Sequence, residues 1–107
     1  MERTGKFGEQ VIIFDKEIPE NTITRPLISQ LIRSVTSIGA NYMEADCAES
    51  KKDFVHKIGI CKKESKESTY WFRMLSTAFP TKKETIERFR QEAHELTLIF
   101  SAIVKKR

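Results

Sequence analysis

The sequence predicts an all-α protein, a single antiparallel four-helix bundle with up-down-up-down topology over residues 1–107. Apolar residues recur at spacings of three and four along four separate segments, which is typical of amphipathic helices. Gly and Pro number only 4 and 3, too few for the many tight turns of a sheet-rich fold. Short connections between the segments favour antiparallel neighbours. A three-helix bundle with a detached first segment is the main alternative.

The first two helices are predicted over about 6–17 and 25–46. The first ends before Ile18-Pro19, because the residue ahead of a proline disfavours helical backbone angles. Thr24 is a candidate N-cap for the second helix, and Pro26 suits its first turn. The predicted buried positions are Phe7, Val11 and Phe14 on the first helix, and Leu27, Leu31, Val35, Ile38, Tyr42 and Ala45 on the second.

The third and fourth helices are predicted over about 51–79 and 82–105, with Pro80 between them. Ser50 and Asp53 resemble a capping box at the start of the third helix, and Thr81 and Glu84 resemble another at the start of the fourth. The predicted buried positions are Phe54, Ile58, Cys61, Ser65, Ser68, Phe72, Leu75 and Phe79 on the third helix, and Ile86, Phe89, Ala93, Leu96, Phe100 and Ile103 on the fourth.

Composition places the chain among soluble proteins and leaves its partner open. The charged share is 32% and the net charge is +4, which permits an acidic partner such as nucleic acid without requiring one. No apolar run approaches the roughly 20 residues of a membrane span, and the N-terminus lacks the features of a secretory leader. Cys47 and Cys61 lack metal-like spacing and are expected to be reduced thiols. We therefore expect a cytoplasmic protein that does not associate with membranes.

The sequence offers no support for catalysis, a metal site or a cofactor. A dinuclear centre in a helical bundle needs two Glu-x-x-His pairs facing the core. The nearest match is one pair, Asp53 and His56, while His94 is preceded at that spacing by Gln91. Neither a nucleophile elbow nor a glycine-rich phosphate loop is present. We expect a protein that is not an enzyme.

Apolar residues outside the predicted core indicate self-association. Trp, Tyr and Met are enriched at protein interfaces, and several lie on the third helix away from its buried positions. The alternative is that Trp71 covers the edge of the core and the others are scattered surface residues. The candidate oligomer-interface residues are Tyr42, Met43, Ile60, Tyr70, Trp71 and Met74.

A second surface of the third helix is strongly basic. Six cations fall within about 120° of its circumference at 100° per residue. Such a row could follow a phosphate backbone, although an ordinary solvated helix face is the alternative. We call this set the basic face; its members are Lys51, Lys52, Lys62, Lys63, Lys66 and Arg73. Three further residues, Arg33, Glu44 and Glu64, are predicted to form an ion-pair network between the second and third helices.

Three sequence stretches resemble a known bacterial family. They are RSVTSIGANYMEA at 33–45, AESKKDF at 48–54 and KESKESTYWF at 63–72. The chain from Arg25 to the C-terminus resembles the 23S rRNA-intervening sequence proteins, which are four-helix bundles encoded within ribosomal RNA genes. One departure is Asp46, where the family often has Gly, and it affects only the connection between helices.

The resemblance implies a homopentameric bundle and kinship with accessory variability determinant proteins of diversity-generating retroelements. Those are basic pentamers that bind nucleic acid and a reverse transcriptase. The leading hypothesis is a non-enzymatic oligomer that binds RNA or DNA through the basic face. The alternative is a protein-interaction scaffold that binds a protein partner and no nucleic acid.

Overall fold

The computed structural model describes residues 2–106 and confirms the all-α fold. Four helices, α1 (Glu2–Asp15), α2 (Thr24–Asp46), α3 (Lys51–Ala78) and α4 (Lys83–Lys105), form an antiparallel up-down-up-down bundle. A single 3₁₀ turn, Pro80–Lys82, precedes α4. The bundle measures 44 × 21 × 19 Å. Its long axis matches α3, because 28 helical residues span about 42 Å.

Helix α1 begins at Glu2, earlier than the predicted start near residue 6. Tertiary contacts explain the additional turn. Thr4 is buried, and the Arg3 guanidinium donates to Glu92 at 2.6 and 2.7 Å and to Glu95 at 2.9 Å. These bonds fasten the first turn of α1 to α4, which the apolar periodicity of the sequence does not reveal.

Of the two predicted capping boxes, only the serine cap of the first is present. Ser50 Oγ accepts from the Asp53 backbone amide at 3.0 Å and caps α3 as predicted. The prediction for Thr81 was wrong, because Pro80–Lys82 form the 3₁₀ turn and no side chain caps α4. Pro80 fixes its own backbone angle, and the chain enters α4 through this tighter turn.

Thr24 does not act as the N-cap of α2, since it is already the first helical residue. Asn21 takes the capping role instead. Its Oδ1 accepts from the backbone amides of Ile23 and Thr24, both at 2.9 Å. Thr24 Oγ1 accepts a hydrogen bond from the backbone amide of Asn21 at 3.1 Å and donates one to the backbone carbonyl oxygen of Pro19 at 2.8 Å. The Thr24 hydroxyl therefore holds the α1–α2 connection.

The core consists mainly of the predicted apolar positions of all four helices, together with Ile18 from the α1–α2 connection. Leu27 was predicted to be buried, but it is only partly buried and is not part of this cluster. Its centre is a group of phenylalanines, in which Phe72 lies 6.2 Å from Phe7 and 5.9 Å from Phe89 between ring centroids. Phe14 adds a further contact to Phe89 at 5.4 Å. Side chains toward the ends of the bundle are less buried, since Phe54, Phe79 and Ile103 are only partly buried.

Helices α2 and α3 pack through small residues. Ser34 and Ser68 are fully buried, with their hydroxyl oxygens 2.9 Å apart. Cys61 Sγ lies 3.5 Å from the Ile38 carbonyl oxygen one layer away. Burial raises the pKa of the Cys61 thiol to about 11, so the thiol stays protonated at neutral pH. The close approach of these helices determines which sides of α3 remain exposed.

Candidate nucleic-acid interface

Helix α3 packs mainly against α2 and α4 and exposes the rest of its circumference. The buried residues of α3 face the core. One flank of α3 contacts Arg33 and Ser34 of α2. Along the other flank, α3 and α4 line a groove. The basic face occupies the exposed side, beginning at the flank next to α4. All six of its members, Lys51, Lys52, Lys62, Lys63, Lys66 and Arg73, are exposed.

The basic face carries positive charge that the protein does not neutralise. The acidic residues of α3 are Asp53, Glu64 and Glu67, and a helical wheel places all three outside the sector of the basic face. In the part of the chain that the structure describes, no carboxylate pairs with any of the six cations. An anion approaching this side therefore meets unpaired charge.

Helix α4 adds two cations to one end of this surface. A groove of about 430 Å³ separates α3 from α4, and Arg73 lines it opposite Lys83 and Arg90. Glu87 also lines the groove and accepts from Arg90 at 3.0 Å, so it offsets part of this charge. The sequence analysis missed Lys83 and Arg90. Their spacing of seven residues, which places both on one side of a helix, could have revealed them.

The aromatic candidates divide into two environments. Tyr42 is partly buried and packs on Phe100 of α4, with centroids 6.2 Å apart. Tyr70 is 51% exposed and meets Trp71 edge-on, with centroids 5.1 Å apart and an interplanar angle of 74°. Trp71 is partly buried against the core, and its Nε1 donates to Glu67 at 3.3 Å.

The remaining interface candidates are apolar and differ in exposure. Ile60 and Met74 are partly buried on α3, on the same side as Trp71. We call these three residues, Ile60, Trp71 and Met74, the apolar edge. Met43 of α2 is 66% exposed and does not belong to this edge.

The predicted polar network forms two separate ion-pair groups. Arg33 of α2 contacts Glu64 of α3 at 3.3 Å and also bonds to Glu67. Glu44 lies apart from them and pairs with Lys57 at 2.7 Å. The Glu44 hydrogen bond raises the pKa of Lys57. Glu67, which the sequence analysis did not assign to the network, joins Arg33 to the indole of Trp71.

Residues 2–106 contain no group of three or more His, Cys, Asp or Glu side chains arranged to hold a metal ion. Among the helices of that range, none is both long enough and apolar enough to cross a bilayer.

Comparison with known proteins identifies a family and structurally similar proteins. The family described as "23S rRNA-intervening sequence protein" matches residues 1–102. The crystal structure of a protein of unknown function from the S23 ribosomal protein family of Bacteroides thetaiotaomicron VPI-5482 superposes with a TM-score of 0.85 and 30% sequence identity. The alignment covers 97% of this chain and 96% of that chain. No curated protein matches. From a match that includes α1 as well as the motifs of α2 and α3, we conclude that this chain belongs to the 23S rRNA-intervening sequence protein family.

Proposed function

We propose that this protein is a non-enzymatic, homo-oligomeric helical bundle of the cytoplasm that binds RNA or DNA through the basic face of α3. The main observation in support is that the basic face has six exposed cations and no carboxylate within its sector of α3. An ordinary solvated helix face usually mixes both charge signs. Lys62, Lys63, Lys66 and Arg73 are the proposed phosphate contacts.

The physical basis is the release of condensed counterions. A cation that neutralises a phosphate frees the ions held there, so binding is tight at low salt and weakens steeply as salt rises. From Lys62 to Arg73 the basic face extends about 16 Å along the helix axis, which allows contact with several consecutive phosphates. Lys83 and Arg90 extend the positive surface onto α4.

The proposal includes a homo-oligomer, specifically a pentamer, assembled through the apolar edge of α3 together with Tyr42 and Met43. Partial exposure of large apolar side chains beside a core supports such an interface. The kinship with pentameric accessory variability determinant proteins, which the sequence resemblance implies, supports the subunit number and the nucleic-acid ligand.

The test is the binding of fluorescently labelled structured RNA at about 50 mM salt by wild type and by a triple variant, Lys62→Glu, Lys66→Glu and Arg73→Glu. We expect the triple variant to lose at least a hundredfold in affinity, because each reversal replaces attraction by repulsion. The matched control reverses three exposed lysines elsewhere, Lys6, Lys16 and Lys105, and so carries the same net charge. This control should keep most of the affinity.

Two outcomes contradict the proposal: no binding by the wild type at low salt, or an equal loss in both triple variants. If a cellular protein partner is retained by wild type and by the α3 variant, and persists after nuclease treatment, the alternative of a protein-interaction scaffold is favoured instead.

A further inference from the structure

The register of α3 places Tyr70 within the sector of the basic face, and its ring contacts Trp71 of the neighbouring apolar edge. It is one helical turn from Lys66 at i−4 and one turn from Arg73 at i+3, which are the spacings of neighbours on a helix surface. Lys63 lies a further turn toward the N-terminus of α3. Tyr70 is 51% exposed, so this large aromatic ring stands among unpaired cations and is open to solvent.

The Tyr70 ring contacts a series of linked side chains. Trp71 meets it in a T-shaped contact at 5.1 Å, and Glu67 accepts from the Trp71 indole at 3.3 Å. Glu67 is in turn bonded to Arg33 of α2. This series of contacts restrains the ring before any ligand arrives, and it engages the one carboxylate of α3 that lies next to the basic face.

We infer that Tyr70 is a stacking platform for an unpaired base, and that the ligand of the basic face is therefore a single-stranded nucleic acid. This inference rests on the proposed function. Each base of a strand presents an aromatic face that can stack on the ring, while Lys66 and Arg73 bind the phosphates on either side. Single-strand binding surfaces of other proteins combine these same two elements, a charged track and aromatic rings.

A duplex fits this arrangement less well. Its bases are stacked on one another inside the helix, so an exposed ring on a convex protein surface meets only the sugar-phosphate backbone.

A role for Tyr70 at a subunit interface fits poorly as well. A neighbouring subunit covering Tyr70 would also desolvate Lys66 and Arg73, which have no carboxylate partner.

The experiment compares wild type with Tyr70→Phe and Tyr70→Ala. Phe retains the stacking face and Ala removes it. Fluorescence anisotropy at constant salt measures the binding of labelled twenty-nucleotide uridine and thymidine oligomers and of a GC-rich ten-base-pair duplex, which has about the same number of phosphates. The chain has a single Trp, so Trp71 emission reports directly on bases placed next to Tyr70. Light scattering measures the mass of each variant, and circular dichroism its helix content.

We expect wild type and Tyr70→Phe to bind the single strands tightly and the duplex more weakly, with Trp71 emission quenched by the single strands. Tyr70→Ala should lose about tenfold in single-strand affinity at unchanged mass, and its duplex affinity should not change. The uridine and thymidine oligomers distinguish RNA from DNA as the source of the strand.

The inference is overturned if Tyr70→Ala binds single strands as wild type does, or if its affinity falls together with its mass, which would make Tyr70 an interface residue. The proposed function fails separately, when neither the single strands nor the duplex bind any of the three proteins. If wild type, Tyr70→Phe and Tyr70→Ala all bind the single strands and the duplex equally, the proposed nucleic-acid binding is supported and the stacking role of Tyr70 is refuted.

Discussion

Among single residues, Asp15 carries the clearest energetic penalty in the bundle. It is the last residue of α1 and only 5% exposed, and both of its carboxylate oxygens are buried without a hydrogen-bond partner. Burial raises its pKa from 3.8 to about 7. A negative charge at the C-terminus of a helix is also opposed by the helix dipole. The ionised carboxylate therefore destabilises the docked position of α1.

The stability of the wild-type protein should fall as the pH rises from about 4 to 7. Within that range the folded Asp15 keeps its proton and the unfolded one, titrating near 3.8, does not, so the free energy of unfolding decreases. The penalty is absent below pH 4 and complete above pH 7. Each unit of pKa shift corresponds to roughly 1.4 kcal/mol of unfolding free energy. The ionisation of Asp15 should therefore lower the stability of the wild type by up to about 4 kcal/mol between pH 4 and pH 7, and Asp15→Asn should abolish this loss.

Urea unfolding at pH 4, 5, 6, 7 and 8 measures this effect. The matched control is Asp46→Asn, which changes the last residue of α2, an exposed carboxylate. Asp15→Asn should become more stable than wild type as the pH rises, whereas Asp46→Asn should follow wild type. A constant difference between Asp15→Asn and wild type at all five pH values would contradict the account.

The sequence could not reveal the environment of Asp15, because a lone carboxylate between Phe14 and Lys16 has the pattern of an ordinary exposed helix end. The prediction of Tyr70 at the oligomer interface has a different basis, which is its residue type. Residue type predicts that Tyr favours interfaces, while its place among the lysines follows from the register of α3. That register was already present in the sequence, and comparing the positions of Tyr70, Lys66 and Arg73 on a helical wheel would have shown it.

At the scale of the elements, the apolar periodicity was sufficient to predict all four helices. The predicted buried positions of every helix supply core residues, because a spacing of three and four places side chains on one side of a helix whatever its partners are. The ends were predicted less well. Helix α1 gains a turn through Arg3, α2 is capped by Asn21, and α4 follows a 3₁₀ turn. Each of these depends on a tertiary contact or on local backbone geometry.

The two capping-box sequences provide a direct comparison. Ser50→Ala should destabilise the protein by about 1 kcal/mol, because it removes the acceptor of the Asp53 amide. Thr81→Ala should change stability by less than about 0.5 kcal/mol, since no side chain caps α4. Urea unfolding of both variants measures the two effects. Equal destabilisation by the two substitutions would show that the Thr81 side chain caps α4, and this account of the start of α4 would be contradicted.

At the scale of the whole molecule, the bundle separates its surfaces by chemistry. The core face of α3 holds the subunit together, the apolar edge adjoins α2, and the basic face is directed toward solvent and the α4 groove. Family membership predicted the fold class but not a molecular role, since the related Bacteroides protein is itself of unknown function. The assignment of surfaces on α3 therefore rests on its own residues.

The proposed pentamer has a definite assembly mass. Light scattering should give about 62 kDa for a pentamer, five times the 12.4 kDa of one chain. Ile60→Glu combined with Met74→Glu should reduce this mass, because each places a charge in the proposed interface. Leu98→Glu is the matched control, since Leu98 is 56% exposed on α4 and away from the edge. A wild-type mass of 12.4 kDa at high concentration, or dissociation caused by Leu98→Glu alone, would contradict this assignment.

The most direct test of the whole account is the salt dependence of uridine-oligomer binding by wild type, by Lys62→Gln with Lys66→Gln, and by Tyr70→Ala. If the basic face binds phosphates, removing two cations should reduce the slope of log K against log salt by about 1.4, or 0.7 for each single-strand contact. Tyr70→Ala should lower the affinity equally at every salt concentration and leave the slope unchanged. An unchanged slope in the double lysine variant would show that Lys62 and Lys66 do not contact phosphates, and the account would be wrong.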